Sequence, residues 1–545
     1  MPSLHYHLHQ PDLGLLRIFA GHWGIEAPLP DRASAIAALE DHMLDAAQVE
    51  AVWARLPDDA RAALQALLSR QGRMPWADFV RRFGEFREMG PARRERERPH
   101  EHPTSPVEML WYTGLVGRAF LPTDRGPVEF AYIPDELLPL LPASEEPDTE
   151  EAPPGRPATP EESAHPLPLT DHILDHLTTF LAARRARRPC DQAPDRSAWR
   201  YTPDHLAALA RAAGMLSPDG EVVTDAARAF LTAPRGRALL LLFSAWRDGT
   251  FNDLKLMPGV VTEGHWENDP RQARAAILDW LKRVPQKTWW SLEGLIAAVQ
   301  QCCPDFQRPA PGDYASWYLR DVHSDASLRG WEHWREVDGA LIRFIITGPL
   351  AWLGVVRLAA PEKGAAPTAF RLTSWGEALL QGRPPAGLHA ENRPLQLRSD
   401  GLILASWQTP RVVRYHVARF ADWEGTTAHG YRFRLSAEAL ERAASQGVHT
   451  SQVLRLLESR AEAMPPSIKQ ALLRWMADGA QATLQPLTVL EVSDPAILTA
   501  LQESAARRYI VRVLSPTAAA IPPAAAAKVR AALAELGYFA KVKEG

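Results

Sequence analysis

Arg184, Arg185, Arg187 and Arg188 form the densest basic cluster of this chain without interleaved acids. At the end of a helix, guanidinium groups so placed suit the dipole and could neutralise phosphates with a steep salt dependence. The alternative is a solvated helix end. Arg93, Arg94, Arg96 and Arg98 alternate with Glu95 and Glu97 and read as a self-neutralising exposed loop. Trp289, Trp290, Tyr314, Trp317, Tyr318, Trp331, Trp334 and Trp352 crowd one region. Exposed rings beside arginine could stack unpaired bases, whereas so many Trp in a helical region also fit a packed core.

Groups for covalent or metal chemistry are sparse. His5, His7 and His9 alternate, so an extended strand would put three imidazoles on one face, the spacing of a metal site; the competing reading is a frayed terminus. Cys302-Cys303 is not a zinc pair, because structural zinc sites space their thiolates and add further ligands nearby. Neither Gly-x-Ser-x-Gly nor His-Glu-x-x-His occurs. The expectation is no catalytic residue, no metal and no cofactor.

Three times a glycine-hinged helix end runs into a short hairpin that stops at a new helix. Gly114 to Leu121 and Val128 to Ile133 flank the turn 122–127, before Pro134-Asp135-Glu136. Gly214-Met215-Leu216 turns through Ser217-Pro218-Asp219-Gly220 into Glu221-Val222-Val223, with Thr224 as N-cap. Leu353 to Leu358 passes the tip Pro361-Glu362-Lys363-Gly364 to Phe370-Arg371-Leu372, and Thr373 caps Ser374 to Leu380. Glycine permits the left-handed C-cap, and Pro, Asp and Gly suit the turns. This is the grammar of winged helices, which place a third helix in the major groove and a wing on the backbone or minor groove. On that geometry the third unit presents Arg335 and Arg343 from a long helix (331 to 347) and Lys363 from its wing. The first unit presents Arg125 from its wing, and farther on Arg411, Arg414 and Arg419 lie at helical spacing, facing nucleic acid or riding as a solvated stripe.

The 545 residues carry 61 Lys+Arg against 65 Asp+Glu, a formal charge of −4, so any nucleic-acid surface must be local. Three cysteines, two of them adjacent, exclude a disulfide framework and suit a reducing cytosol. The N-terminus lacks a basic region followed by an apolar stretch, and the apolar region Leu341 to Ala360 is broken by Arg343, Gly348, Pro349 and Arg357, so neither a secretory signal nor a membrane partner is expected. Leu13, Leu15, Leu16 and Phe19, then Gly24, then Ala35, Ile36 and Leu39 look like a SAP-type helix-extended-helix module. The expected fold is mainly α with small β hairpins, tandem winged-helix domains followed by a C-terminal α+β domain. Its parts are a SAP-like segment (1–50), winged helix 1 (51–142), a Pro/Glu-rich linker (143–168), a winged-helix-like domain 2 (169–258), winged helix 3 (259–386) and the α+β domain (390–545). The linker reading rests on a composition that cannot bury enough surface to offset its ordering entropy.

Phe306-Gln307-Arg308-Pro309, Asp313-Tyr314, Ser316 to Arg320, Gly348 to Gly354 and Ala369 to Thr373 resemble bacterial helicase-associated proteins. The C-terminal part of those proteins is similar to the N-terminal domain of XPB-type helicases. The resemblance covers most of 170 to 545 and implies an accessory role, a winged-helix array with a module like that through which XPB-type helicases dock to a winged-helix subunit of TFIIH. The helicase motor itself is missing, since no Gly is followed by Lys and hence no P-loop exists. The function expected is a cytosolic, non-catalytic DNA-binding accessory with a helicase or nuclease partner, in repair, transcription or defence. Two alternatives stand beside it: a protein scaffold, and a winged-helix enzyme such as a glycosylase, although the Gln-x-Gln motif associated with one such class is absent.

Overall fold

Glycine sets where three helices stop. Gly114, Gly214 and Gly354 lie at φ +73, +69 and +72, the left-handed region that costs other residues about 1 kcal/mol. After each one the chain turns into extended pairing. The first hairpin is Gly117–Thr123 with Gly126–Tyr132, joined by Arg73–Pro75 on the second strand. The second is a single bridge, Leu216 to Val222. The third pairs Val356–Ala360 with Ala369–Leu372. In this computed structural model, which describes residues 2–123, 126–142, 153–266, 268–310, 312–482 and 485–542, about half the chain is helical and the sheets are small and antiparallel, a mixed α/β fold.

Capping followed expectation in part. Thr373 Oγ1 accepts from Gly376 N at 2.9 Å, and Thr202 and His205 form a reciprocal capping box. Thr224 instead is the first helical residue, and helix Ile173–Arg185 begins after His172 with no side-chain cap. The helix expected from Trp331 to Thr347 is wound partly as π-type turns and kinks at Gly348 (φ −101, ψ −107), next to Pro349.

The N-terminal helices share one core with the first hairpin rather than forming a separate module. Leu16, Phe19, Trp23 and Leu39 cluster with Leu64, Phe79, Leu110 and Ile133. Trp23 Nε1 donates to Thr113 O at 2.8 Å, and a Cβ on Gly114 would meet the Phe19 ring at 3.0 Å. The first residues are neither strand nor frayed end. Leu4–Leu8 is a helix, and His7 is buried between Tyr132 OH (3.2 Å) and Gly114 O (2.9 Å). Burial pushes its imidazole down to about 4, which keeps it neutral.

Residues 143–152 of the expected linker lie outside the described residues. The remainder, 153–168, is built into the third unit. Ala158 N donates to Trp289 O, Ser291 N to Arg156 O, and His165–Pro166 pairs antiparallel with Ala359 and Ala360 as an edge strand. Proline is tolerated there because an edge strand has an unpaired side.

The middle of the chain is organised by helix Ile173–Arg185, buried on every face from Ile173 to Ala183. Ile173, Leu174, Leu177, Phe180 and Leu181 are fully enclosed, each contributing about 2 kcal/mol. Helix Arg411–Phe420 packs against it, carried by the four-stranded sheet ordered Gln396–Leu397, Leu402–Ser406, Gly430–Arg434, Asp422–Thr427. The chain falls into two compact bodies. The larger comprises Met1–Leu397, Leu402–Gln446 and Arg460–Glu462. The second, Arg398–Gly401, Gly447–Ser459 and Ala463–Gly545, contains helix Pro495–Glu503 and a three-stranded sheet with Ala518–Ile521 between Thr488–Glu491 and Arg512–Ser515, over a core of Ile497, Leu501, Ile521, Val529 and Leu533.

Candidate nucleic-acid interface

Helix Ile173–Arg185 ends in solvent, and its last turn carries the arginine cluster. Arg184, Arg185 and Arg187 are exposed and have no carboxylate partner among the described residues. Arg184 lies over the Phe180 ring at 5.4 Å, and Arg187 holds φ +52, which turns the chain out of the helix. Arg188 differs. Its guanidinium stacks on Trp423 at 4.4 Å, donates to Ala421 O at 3.1 Å and faces Asp422 at 3.5 Å; burial, then Arg442, lowers its pKa. A groove of about 750 Å³ opens here, lined by Arg185, Arg187, Arg188, Gln192, Arg442 and Gln446. Arg442 is paired with Asp422 at 2.5 Å, and Glu221 is the acid among the lining residues. The groove is polar, open and cationic, and the C-terminal end of the helix dipole favours those cations.

The other expected residues are distributed differently. Arg335 and Arg343 are exposed but share Glu293, at 2.5 and 2.9 Å, across helix Leu292–Cys302. Lys363 stands exposed at the hairpin tip, with no ion pair among the described residues. Arg125 lies outside the described residues. Arg419 is half-buried over Tyr415, and burial lowers its pKa.

Arg411 and Arg414 must be withdrawn as nucleic-acid ligands, because the fold buries both, at 0% and 3% exposure. With Arg235 they form a closed network against Asp171, Asp175 and Glu391. Arg235 meets Asp171 at 2.5 Å, Asp175 at 2.9 Å and Glu391 at 2.7 Å. Arg414 meets Asp175 at 2.5 Å, and Arg411 meets Glu391 at 3.0 Å and donates to Ala233 O at 2.5 Å. Burial alone would raise the Asp175 carboxyl, but Arg414, His172 and Arg235 hold it well below the usual range. Asp171, His172 and Asp175 also bring one ligand atom each within 4.8 Å, a spacing a metal could use. Arg235 already occupies both carboxylates as their cation.

The aromatic residues fill cores more than they offer stacking faces. Trp334, Trp317, Trp290 and Tyr314 are buried, and Trp317 packs on Arg308 at 4.1 Å while Arg308 Nε and Gln307 Nε2 hold Asp338 at 3.0 and 2.7 Å. This accounts for the Gln307-Arg308 string as a buried clamp. Tyr318 is the most exposed of the eight, at 49%. Arg93, Arg96 and Arg98 pair with Glu97 and Glu101 while Arg94 is buried on Asp12, and the segment is a helix, Pro91–Glu97, rather than a loop.

Residues 395–515 match the family model of the helicase conserved C-terminal domain. No curated protein matches the chain. The match spans well under half the chain and runs from strand Gln396–Leu397 to strand Arg512–Ser515, so it includes helix Arg411–Phe420 and the groove residues Arg442 and Gln446. It links this part of the chain to helicase-type C-terminal domains. Among the described residues, no helix is long and apolar enough to cross a membrane. Sequence reasoning missed Arg442, Trp423 and the pairing of Arg411 and Arg414 with Arg235, for the partners are 20 to 239 residues apart in sequence and no local spacing signals them.

Proposed function

We propose that the protein is a DNA-binding accessory factor that works with a separate helicase or other DNA-processing enzyme. The supporting observation is the groove at the end of helix Ile173–Arg185, lined by Arg185 and Arg187 together with Arg442 and Gln446 of the segment that matches a helicase-type domain; these two arginines and the neighbouring Arg184 are exposed and have no carboxylate partner among the described residues. In this reading the three helix-and-hairpin units are tandem winged helices, the C-terminal part is of the XPB N-terminal kind, and ATP hydrolysis belongs to the partner because the chain has no P-loop. Phosphates enter the groove, and the chain itself catalyses nothing.

The test is binding of labelled duplex and single-stranded DNA across a salt series. Affinity falls steeply with salt, and Arg184→Ala, Arg185→Ala and Arg187→Ala together lower the log–log slope by about 2 to 3 if each contacts one phosphate. Salt-insensitive binding, or a slope the triple variant leaves unchanged, refutes it. A scaffold role is the second reading, favoured by the exposed Val489, Val513 and Leu514 on the outer strands of the second body, whose edges offer backbone groups for strand addition. Turnover of labelled duplex by the isolated chain would favour a glycosylase-like enzyme over both.

A further inference from the structure

Away from the cationic groove, the end of helix Leu292–Cys302 brings two thiols together. Cys302 Sγ and Cys303 Sγ lie 2.9 Å apart; Cys302 is half-buried and Cys303 exposed. Both line an open groove of about 570 Å³ whose other walls include Arg70, Arg73, Asp78 and Asp305. Arg70 Nη2 donates to Cys302 O at 2.9 Å, which fixes a guanidinium beside the pair. The two carboxylates that also line the groove are a poor source of negative field. Burial, then the neighbouring Asp305, pushes Asp78 up to about 7, and Arg81 lies against both carboxylates.

The two sulfurs are not equivalent. The two thiols share a hydrogen bond that, with Arg70 and Arg82 nearby, brings the Cys302 thiol down to about 7, while Cys303 is pushed up by that same bond and by burial. A thiolate at neutral pH in an electropositive, solvent-open groove is an attacking nucleophile, and its neighbour is placed to resolve the product.

We propose that Cys302 and Cys303 form a thiol–disulfide exchange site for an anionic low-molecular-weight disulfide, with Cys302 as attacking and Cys303 as resolving residue. In the first step Cys302 S⁻ bonds to one sulfur of the small disulfide, the disulfide bond breaks, and one small thiolate leaves. In the second, Cys303 loses its proton to that thiolate and attacks Cys302 Sγ, and the second small thiolate leaves. The protein dithiol is oxidised by two electrons and the small disulfide is reduced to two thiols. Adjacent Cα atoms are about 3.8 Å apart, below the roughly 4.4–6.8 Å that an ordinary disulfide spans, so the product is strained and readily reduced. Such a bond is a reversible mark rather than a staple.

The test treats the reduced, full-length protein with glutathione disulfide at neutral pH and follows intact mass and peptide maps. The wild type should end two hydrogen atoms lighter with the bond between Cys302 and Cys303, and it should return to the dithiol with excess thiol. Cys303→Ser should trap a stable glutathione adduct on Cys302, Cys302→Ser should react at least tenfold more slowly than Cys303→Ser, and added salt should slow the wild type. A wild type that stays unreacted or keeps the adduct, or equal rates in the two serine variants, overturns the assignment. The wild-type mass and peptide map together decide ring closure whether or not either variant folds.

Discussion

Asp175→Asn removes one carboxylate from a site where three buried guanidiniums face three carboxylates. Asp175 is 1% exposed and bonded to Arg235 and Arg414, both themselves about 3% exposed. The amide keeps the shape but cannot accept two charged donors, and it leaves one buried cation without a counter-charge. Breaking a buried pair in this way costs about 3–5 kcal/mol. In a body of roughly 450 residues unfolding together, that lowers Tm by about 4 °C, since the unfolding entropy grows with size. The sign with pH is fixed as well. The Asp175 carboxyl is held well below its unfolded value, so its contribution is complete above about pH 4 and is lost as pH falls through the depressed folded value. Thermal and urea unfolding of wild type and Asp175→Asn, followed by tryptophan fluorescence at pH 7, measures the loss. Replacing Asp175 and Arg414 together by Leu and Met should recover part of it, because no lone charge then remains from that pair. A loss under about 1 kcal/mol, the range of surface substitutions, would refute the network as a buried clamp.

His7, neutral in the fold down to about 4 but basic near 6.5 when unfolded, should withdraw about 3 kcal/mol of stability as pH falls from 6.5 to 4, and His7→Gln should flatten that part of the urea-unfolding profile. Gly354→Ala puts a Cβ 2.7 Å from the Trp375 ring at φ +72 and should destabilise by about 1–3 kcal/mol in the same assay. Glu293→Gln releases Arg335 and Arg343 from their shared carboxylate; stability should change by no more than about 0.5 kcal/mol, and DNA affinity should rise several-fold with a steeper salt slope. Unchanged affinity would exclude both arginines from the interface.

What was legible in the sequence was local. A glycine needing positive φ, a Thr two or three residues before a free amide and a turn rich in Pro and Asp are settled within a few residues, and the hinges at Gly114, Gly214 and Gly354 stand where they were expected. The fate of a charged side chain is not local. Arg411 and Arg414 look in sequence like Arg185 and Arg187, and what separates them is Asp175, 239 residues from Arg414 in sequence. The expected linker failed for a related reason. Composition shows that 153–168 cannot form a core of its own, but not that a neighbouring sheet has an edge to lend it. The N-terminal histidines were misjudged because His7 finds its partners, Gly114 and Tyr132, 107 and 125 positions later.

Near-neutral charge does not weigh against phosphate binding once the arginines are sorted by partner. Arg235, Arg411 and Arg414 are spent inside the fold, Arg335 and Arg343 are half-spent on Glu293, and Arg184, Arg185 and Arg187 keep their full charge at the surface. At 0.1 M salt the Debye length is about 10 Å, so acids elsewhere on the surface are screened from the groove while Glu221 and Asp422 on or beside its walls are not. Asp422 is already bound to Arg442, which leaves Glu221 as the acid a phosphate would oppose. Glu221→Gln should therefore raise DNA affinity at low salt and leave it unaltered at high salt, where the remaining field is screened. A rise that persists undiminished at high salt would mean that Glu221 acts on the fold of the second hairpin rather than on the charge of the groove.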